Sequence, residues 1–185
     1  MTVLGAFRGN VRDDLGWINS AGRPDVFNRA NLPRVGLDDV AALATGVMTS
    51  VDLWLTEGDL VTNLSFISAG TAAGTPTNYW FALYDPTGAL MAQTADQTTA
   101  AWAADTVKTL ALSAAQRITR SGRYKAAINV TATTPPTLVG TVGAKPVLSG
   151  EGNLAQTSGS GLTTTAPATI ATPAFKRTVP LVIAS

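Results

Sequence analysis

The chain has 185 residues, of which 45% are hydrophobic, with a formal net charge of +1; it is long enough to bury a core and too apolar for a disordered coil. Only 14% of its residues are charged, against about a quarter in an average soluble domain. No Lys/Arg run interleaves with aromatics, which argues against nucleic acid or an anionic membrane as a partner. With no His and no Cys, the sequence excludes Ser-His-Asp and Cys-His catalysis, the usual zinc sites and disulfide staples.

Residues 1–45 read as an irregular N-terminal arm. Up to residue 39 it carries ten of the chain's 25 charges: Arg8, Arg12, Arg23, Arg29 and Arg34 against Asp13, Asp14, Asp25, Asp38 and Asp39. Leu4, Phe7, Trp17 and Phe27 sit among them without sustained periodicity, interrupted by Gly9-Asn10, Gly22-Arg23-Pro24 and Pro33. A solvated tail has no use for Trp and Phe, so these four residues are expected to be laid against another surface. Residues 38–45 fit one short helical turn, with Asp38 as cap and Gly46 as stop. Residues 1–10 lack a basic segment followed by a long apolar run, and no stretch approaches the roughly 18 apolar residues of a membrane span.

Residues 46–140 read as strands. Residues 47–55 place Val47, Val51, Leu53 and Leu55 on one face. Glu57-Gly58-Asp59 is a turn, and residues 60–68 point Leu60, Leu64 and Phe66 inward. Residues 78–84 (NYWFALY) are apolar on both faces. Asp85-Pro86-Thr87-Gly88 is a strong β-turn, with residues 89–94 as the returning hairpin strand. Residues 105–113 and 123–133 follow; in the latter Tyr124, Ala126, Ile128 and Val130 alternate with Arg123, Lys125, Asn129 and Thr131, the mark of a half-buried strand. Six or more short strands with frequent turns and no long amphipathic helix predict an all-β antiparallel sandwich, jelly-roll-like in style.

Residues 141–185 read as a Thr/Ala/Gly-rich extension. Residues 156–162 and 163–173 look like loop, and residues 178–184 form a last strand, at an edge because of Pro180.

The chemistry left to this chain is that of carboxylates, Lys and Tyr. Asp52, Glu57, Asp59, Asp85, Asp96 and Asp105 are the candidates for a paired-carboxylate site, but most sit where turn chemistry explains them. Asp13-Asp14 and Asp38-Asp39 lack the spacing of a calcium loop. No catalytic, cofactor or metal residue is assigned, and no enzymatic activity or cofactor is expected. Trp54, Trp80 and Tyr84 fall on strand faces opposite the inferred core; Trp102 could join either side. These rings are either an exposed platform for a glycan or a face covered by the arm or a partner. Charge order adds a second ambiguity. From residue 40 to 105 there are six acidic residues and no basic ones, and from 108 to 125 five basic ones and no acidic ones. The strands either segregate these into two patches suited to head-to-tail contact or interleave them.

The run VDLWLTEGDLVTNLSFISAGTAAGTPTNYWFALYDPTGALMAQTAD (51–96), with DTVKTLALS (105–113) and SGRYKAAINVTATTPPTLVG (121–140), resembles β-sandwich virion proteins of tailed phages infecting actinobacteria. The resemblance covers residues 46–140; its most recognisable part, FALYDPTGALMAQ, is a hairpin signature. It implies a structural protein of the virion: a capsid decoration or minor capsid protein on the outer head surface, or alternatively a minor tail or fibre protein. A carbohydrate-binding module is the rival class, with a host-surface glycan as ligand. The expected partners are the major capsid protein, other virion proteins and further copies of the chain, a trimer being compatible with capsid three-fold positions. Leu4, Phe7, Trp17 and Phe27 are the expected arm contacts, and Trp54, Trp80 and Tyr84 the face to be covered.

Overall fold

The computed structural model describes residues 28–185, so the predicted arm contacts Leu4, Phe7, Trp17 and Phe27 lie outside the described residues. In chain order the first strands are β1 (Arg29–Ala30), β2 (Asp38–Val40), β3 (Met48–Leu55), β4 (Leu60–Ile67), β5 (Gly74–Tyr84) and β6 (Leu90–Gln93). They are followed by β7 (Val107–Arg117), β8 (Gly122–Thr134), β9 (Leu138–Val142) and β10 (Ala155–Ser158). The last three are β11 (Ala174–Phe175), β12 (Thr178–Pro180) and β13 (Val182–Ala184).

These strands form a sheet in the order β1-β13-β4-β7, a larger sheet in the order β11-β10-β3-β8-β5-β6, and a small one in the order β12-β9-β2. Every pairing is antiparallel. The all-β antiparallel sandwich predicted from strand periodicity is the observed fold.

The core lies between the two main sheets. One side gives Val61, Leu64, Phe66, Leu110, Leu112 and Val182; the other gives Val51, Leu53, Tyr79, Phe81, Leu83, Tyr124, Ile128 and Val130. Phe66 of β4 meets Phe81 of β5 with ring centroids 4.7 Å apart. Trp102 joins this core, 5.7 Å from Tyr79 and 5.8 Å from Phe81, and donates its indole N–H to the Thr106 carbonyl at 3.3 Å. Such tilted and edge-on geometries suit the ring quadrupoles.

Inward positions in β8 follow the predicted alternation, but β4 breaks it. Leu60 is 40% exposed while Val61 is fully buried, and Leu64 and Phe66 are fully buried as well. The register against β7 shifts between Val61 and Asn63, so a β-bulge reverses the parity of the strand. The inward assignment of Leu60 is thereby corrected.

The predicted helical turn at 38–45 is also corrected. Asp38, Asp39 and Val40 pair with Gly140, Val139 and Leu138 of β9. Ladder hydrogen bonds with β9 satisfy this backbone better than one isolated helical turn could. The Asp39 carboxylate accepts the Gly70 N–H at 3.0 Å, tying β2 to the loop after β4.

Residues 141–185 do not append to a finished sandwich. Part of the predicted 156–162 loop belongs to β10, which pairs with β3 through Ala155–Val51 to Ser158–Met48. The predicted terminal edge strand is two strands. Pro180 ends β12, the chain switches sheets at Leu181, and β13 lies between β1 and β4, away from an edge. Pro180 itself lies in β12, an edge strand of the small sheet, as a residue without a backbone donor requires; only the part after it, β13, is internal.

At Gly140 the β9 backbone lies so close to β12 that a Cβ would stand 2.3 Å from the Val179 carbonyl oxygen and 2.9 Å from Pro180 Cα. Gly140→Ala is expected to lower stability by about 1–3 kcal/mol in denaturant titration, through overpacking against backbone.

The β5–β6 turn closes as predicted. Gly88 (φ 86°) donates its N–H to the Asp85 carbonyl at 2.9 Å, and Asp85 Oδ1 accepts from the Thr87 N–H, the Thr87 hydroxyl and the Ala89 N–H at 2.7–2.9 Å. Desolvation pushes the Asp85 carboxyl up, but the hydrogen bonds from the Thr87 side chain and the backbone of Ala89, Thr87 and Gly88 outweigh it and hold its pKa below the ordinary value. A carboxylate with a depressed folded pKa stabilises fully above its unfolded pKa of about 3.9 and loses that stabilisation as pH falls through the folded value. The melting-temperature gap between wild type and Asp85→Asn is therefore expected to be widest near neutral pH and to close in strong acid.

Candidate functional site

Alternation along β3, β5 and β8 creates a second face on the larger sheet, turned away from the core. It carries Met48, Ser50, Asp52 and Trp54 from β3, Trp80, Ala82 and Tyr84 from β5, and Arg123, Lys125, Ala127 and Asn129 from β8. Sequence reasoning correctly set Trp54, Trp80 and Tyr84 opposite the core. The structure separates their fates. Trp80 and Tyr84 are fully buried, while Trp54, beside Arg123 at the end of β3, is 50% exposed.

The cover over Trp80 and Tyr84 is the chain's own segment 159–170. It leaves β10 and reaches the turn between β5 and β6, held by a series of hydrogen bonds. The Leu162 N–H donates to the Gly46 carbonyl at 2.9 Å, and the Thr131 hydroxyl donates to the Leu162 carbonyl at 2.8 Å. Trp80 Nε1–H donates to the Thr163 carbonyl at 2.7 Å and the Tyr84 hydroxyl to the Pro167 carbonyl at 2.9 Å. The Ala166 N–H donates to Gln93 Oε1 at 2.6 Å. Beyond these, Leu90 N–H donates to the Ala168 carbonyl and Ile170 N–H to the Gly88 carbonyl, both at 2.9 Å. Under this strap Met48, Trp80, Ala82, Tyr84, Ala127 and Ala166 make a separate apolar cluster, with Leu90, Leu162 and Ile170 at its margin. Burial pushes the Tyr84 phenol well above its ordinary pKa.

An exposed aromatic platform of Trp54, Trp80 and Tyr84 is thus contradicted. Two of its three rings are inside, and their polar tips are bonded to the strap. Trp80 and Tyr84 are covered by segment 159–170, in place of the expected arm or partner; Trp54 stays half open.

The segregated-charge reading is corrected too. The acidic β3 and the basic β8 are neighbours, so Asp52 forms an ion pair with Lys125 and lies 3.7 Å from Arg123. Asp59 pairs with Arg29 at 3.1 Å. Among the described residues, no group of three or more carboxylates is placed to hold a metal ion.

The surface that stands out lies elsewhere, in the loop between β9 and β10. Val147 is 90% exposed and Leu148 74%, with Val142 and Leu154 also open to solvent. This loop has an organised tip. Glu151 Oε2 accepts the Val147 and Leu148 N–H groups at 2.9 and 3.2 Å. The Glu151 N–H returns to the Leu148 carbonyl at 3.2 Å, across Gly150 at φ 82°. The two backbone N–H groups hold the Glu151 carboxyl below its ordinary pKa.

The base of the loop is tied to the sandwich by Lys125 Nζ donating to the Asn153 carbonyl at 3.0 Å and Gly143 N–H donating to the Arg177 carbonyl at 2.7 Å. Beside it, Val142, Gly143, Ala144, Lys145, Phe175 and Arg177 line a cleft of about 410 Å³. Lys145 Nζ stands 5.7 Å from the centre of the Phe175 ring. The nearby Lys176 ammonium has its pKa lowered by burial. The arrangement is an apolar knob next to an apolar cleft with two cationic rims. It suits adhesion to a protein surface that offers apolar side chains and carboxylates.

Sequence reasoning missed this surface. The available signal was Pro146-Val147-Leu148-Ser149-Gly150-Glu151, two bulky apolar residues entering a glycine turn where polar ones are ordinary. No family model matches the chain, and no characterised protein matches its sequence.

Trp80→Ala is expected to remove about 3–5 kcal/mol of stability in denaturant titration, as for any large buried ring. A surface-platform tryptophan would give a stability close to wild type.

Proposed function

We propose that this protein is a structural protein of a tailed-phage virion, a capsid decoration or minor capsid protein that adheres to the outer surface of the head. The observation that carries the adhesive reading is the Val147–Leu148 knob. Water-exposed valine and leucine on a loop whose conformation is fixed by Glu151 are pre-organised for burial, so little ordering entropy opposes docking. Burial would stabilise the contact by about 25 cal/mol per Å² of apolar area. A charge-poor surface supports the same reading, and the phage assignment rests on the sequence resemblance over residues 46–140. The outer-head location and self-association into a trimer belong to this proposal.

A minor tail or fibre role uses the same adhesive physics. The glycan-binding alternative is weakened by the burial of Trp80 and Tyr84.

The test is co-sedimentation of the purified chain with phage heads that lack it. Val147→Asp/Leu148→Asp is expected to reduce retention on heads at least tenfold while leaving the melting temperature within about 2 °C, as surface substitutions do. Retention at the wild-type level would remove the knob from the contact. Retention on tails and not on heads would move the protein to the tail.

A further inference from the structure

Beneath the strap lies a polar seam that the apolar cluster does not explain. Asn129 is fully buried, and neither its amide nitrogen nor its amide oxygen has a hydrogen-bond partner in the protein. Ser50, fully buried, and Ser158, 6% exposed, have hydroxyl oxygens in the same condition. All three belong to one face of the larger sheet. Asn129 pairs with Trp80, Ser158 pairs with Met48, and Thr49 pairs with Ile128, so Met48 and Asn129 occupy the next step between them. Ser50 lies in the adjoining row, between Gln156 and Ala127, with Ala82 beyond.

The two rows differ in bulk. Trp80 and Met48 are tall and meet the strap. Ser50, Ala127 and Ala82 are short. Ala82 and Ala127 belong with Ala166 of the strap to the apolar cluster, and Ser50 and Asn129 bring polar groups to the same covered face. Two strap carbonyls are already engaged: those of Leu162 and Thr163 accept from Thr131 and Trp80. Burying an amide and two hydroxyls unpaired is strongly unfavourable, and native proteins rarely leave such groups without a partner. Polar, enclosed sites of this kind hold water that makes two to four hydrogen bonds.

We infer that the Asn129–Ser50–Ser158 seam on the strap-covered face is an internal hydration site. About two ordered water molecules bridge the Asn129 amide, the Ser50 hydroxyl and the Ser158 hydroxyl. The inference is independent of the virion proposal, since it concerns how the strap is seated. It explains why a strap over an apolar cluster keeps an asparagine at its centre: Asn129 supplies both donor and acceptor to the water, where leucine would supply neither.

The test is a crystal structure of the full chain at about 1.5 Å, with water-proton relaxation dispersion in solution on the wild type and on Asn129→Leu. The expected result is well-ordered water within hydrogen-bond distance of Asn129 and Ser50, and long-lived internal water in solution that is reduced in Asn129→Leu. Direct protein bonds to the Asn129 amide, or a wild-type protein without long-lived water, would overturn the inference. Both wild-type measurements decide the matter even if the variant does not fold.

Discussion

The structure turns on a strand that is apolar on both sides. In β5, Tyr79, Phe81 and Leu83 face the sandwich core while Trp80, Ala82 and Tyr84 face away from it, and all six are fully buried. A sheet containing such a strand needs a layer on each face. The second sheet supplies one. The other is a strap of Thr, Ala, Gly and Pro, a composition ordinarily associated with loops. It performs the role by offering backbone carbonyls to Trp80 and Tyr84 and a few apolar side chains to the cluster. Its own polar backbone is thus bonded, where a helix would need an amphipathic face that this sequence does not contain.

That second layer changes what the protein can present to others. With Trp80 and Tyr84 inside, most aromatic side chains among the described residues are withdrawn from the surface, and Trp54 remains half open at the end of β3. The pairing of β3 with β8 brings the acidic and basic stretches of the chain together at Asp52, which pairs with Lys125 and Arg123. Among the described residues, the 142–154 region and its neighbouring cleft form an open surface with an organised tip. In the proposed adhesive role, the Val147–Leu148 knob would make the contact.

Strand identity was legible wherever a single period governed. The alternation of β8 and the Asp-Pro-Thr-Gly turn give the same answer in sequence and structure, because each is fixed by local sterics and one buried face. The unusual NYWFALY run signalled two buried faces, yet nothing near it named the second cover. That information sits some eighty residues later, in a segment whose composition resembles a linker. The parity reversal in β4 and the short pairing of Asp38–Val40 are likewise settled by distant partners. The Val147–Leu148 knob follows no strand or helix period; its only mark in the sequence is an apolar pair entering a glycine turn.

The most direct test of this account is hydrogen exchange at a single proton, Trp80 Nε1–H, which donates to the Thr163 carbonyl. If the strap is an integral layer, this indole proton exchanges only when the domain opens as a whole, as slowly as the core amides of β5 and β8. Exchange near the rate of a free indole, with those amides still protected, would show that the strap lifts from the sheet and that Trp80 is open to solvent after all.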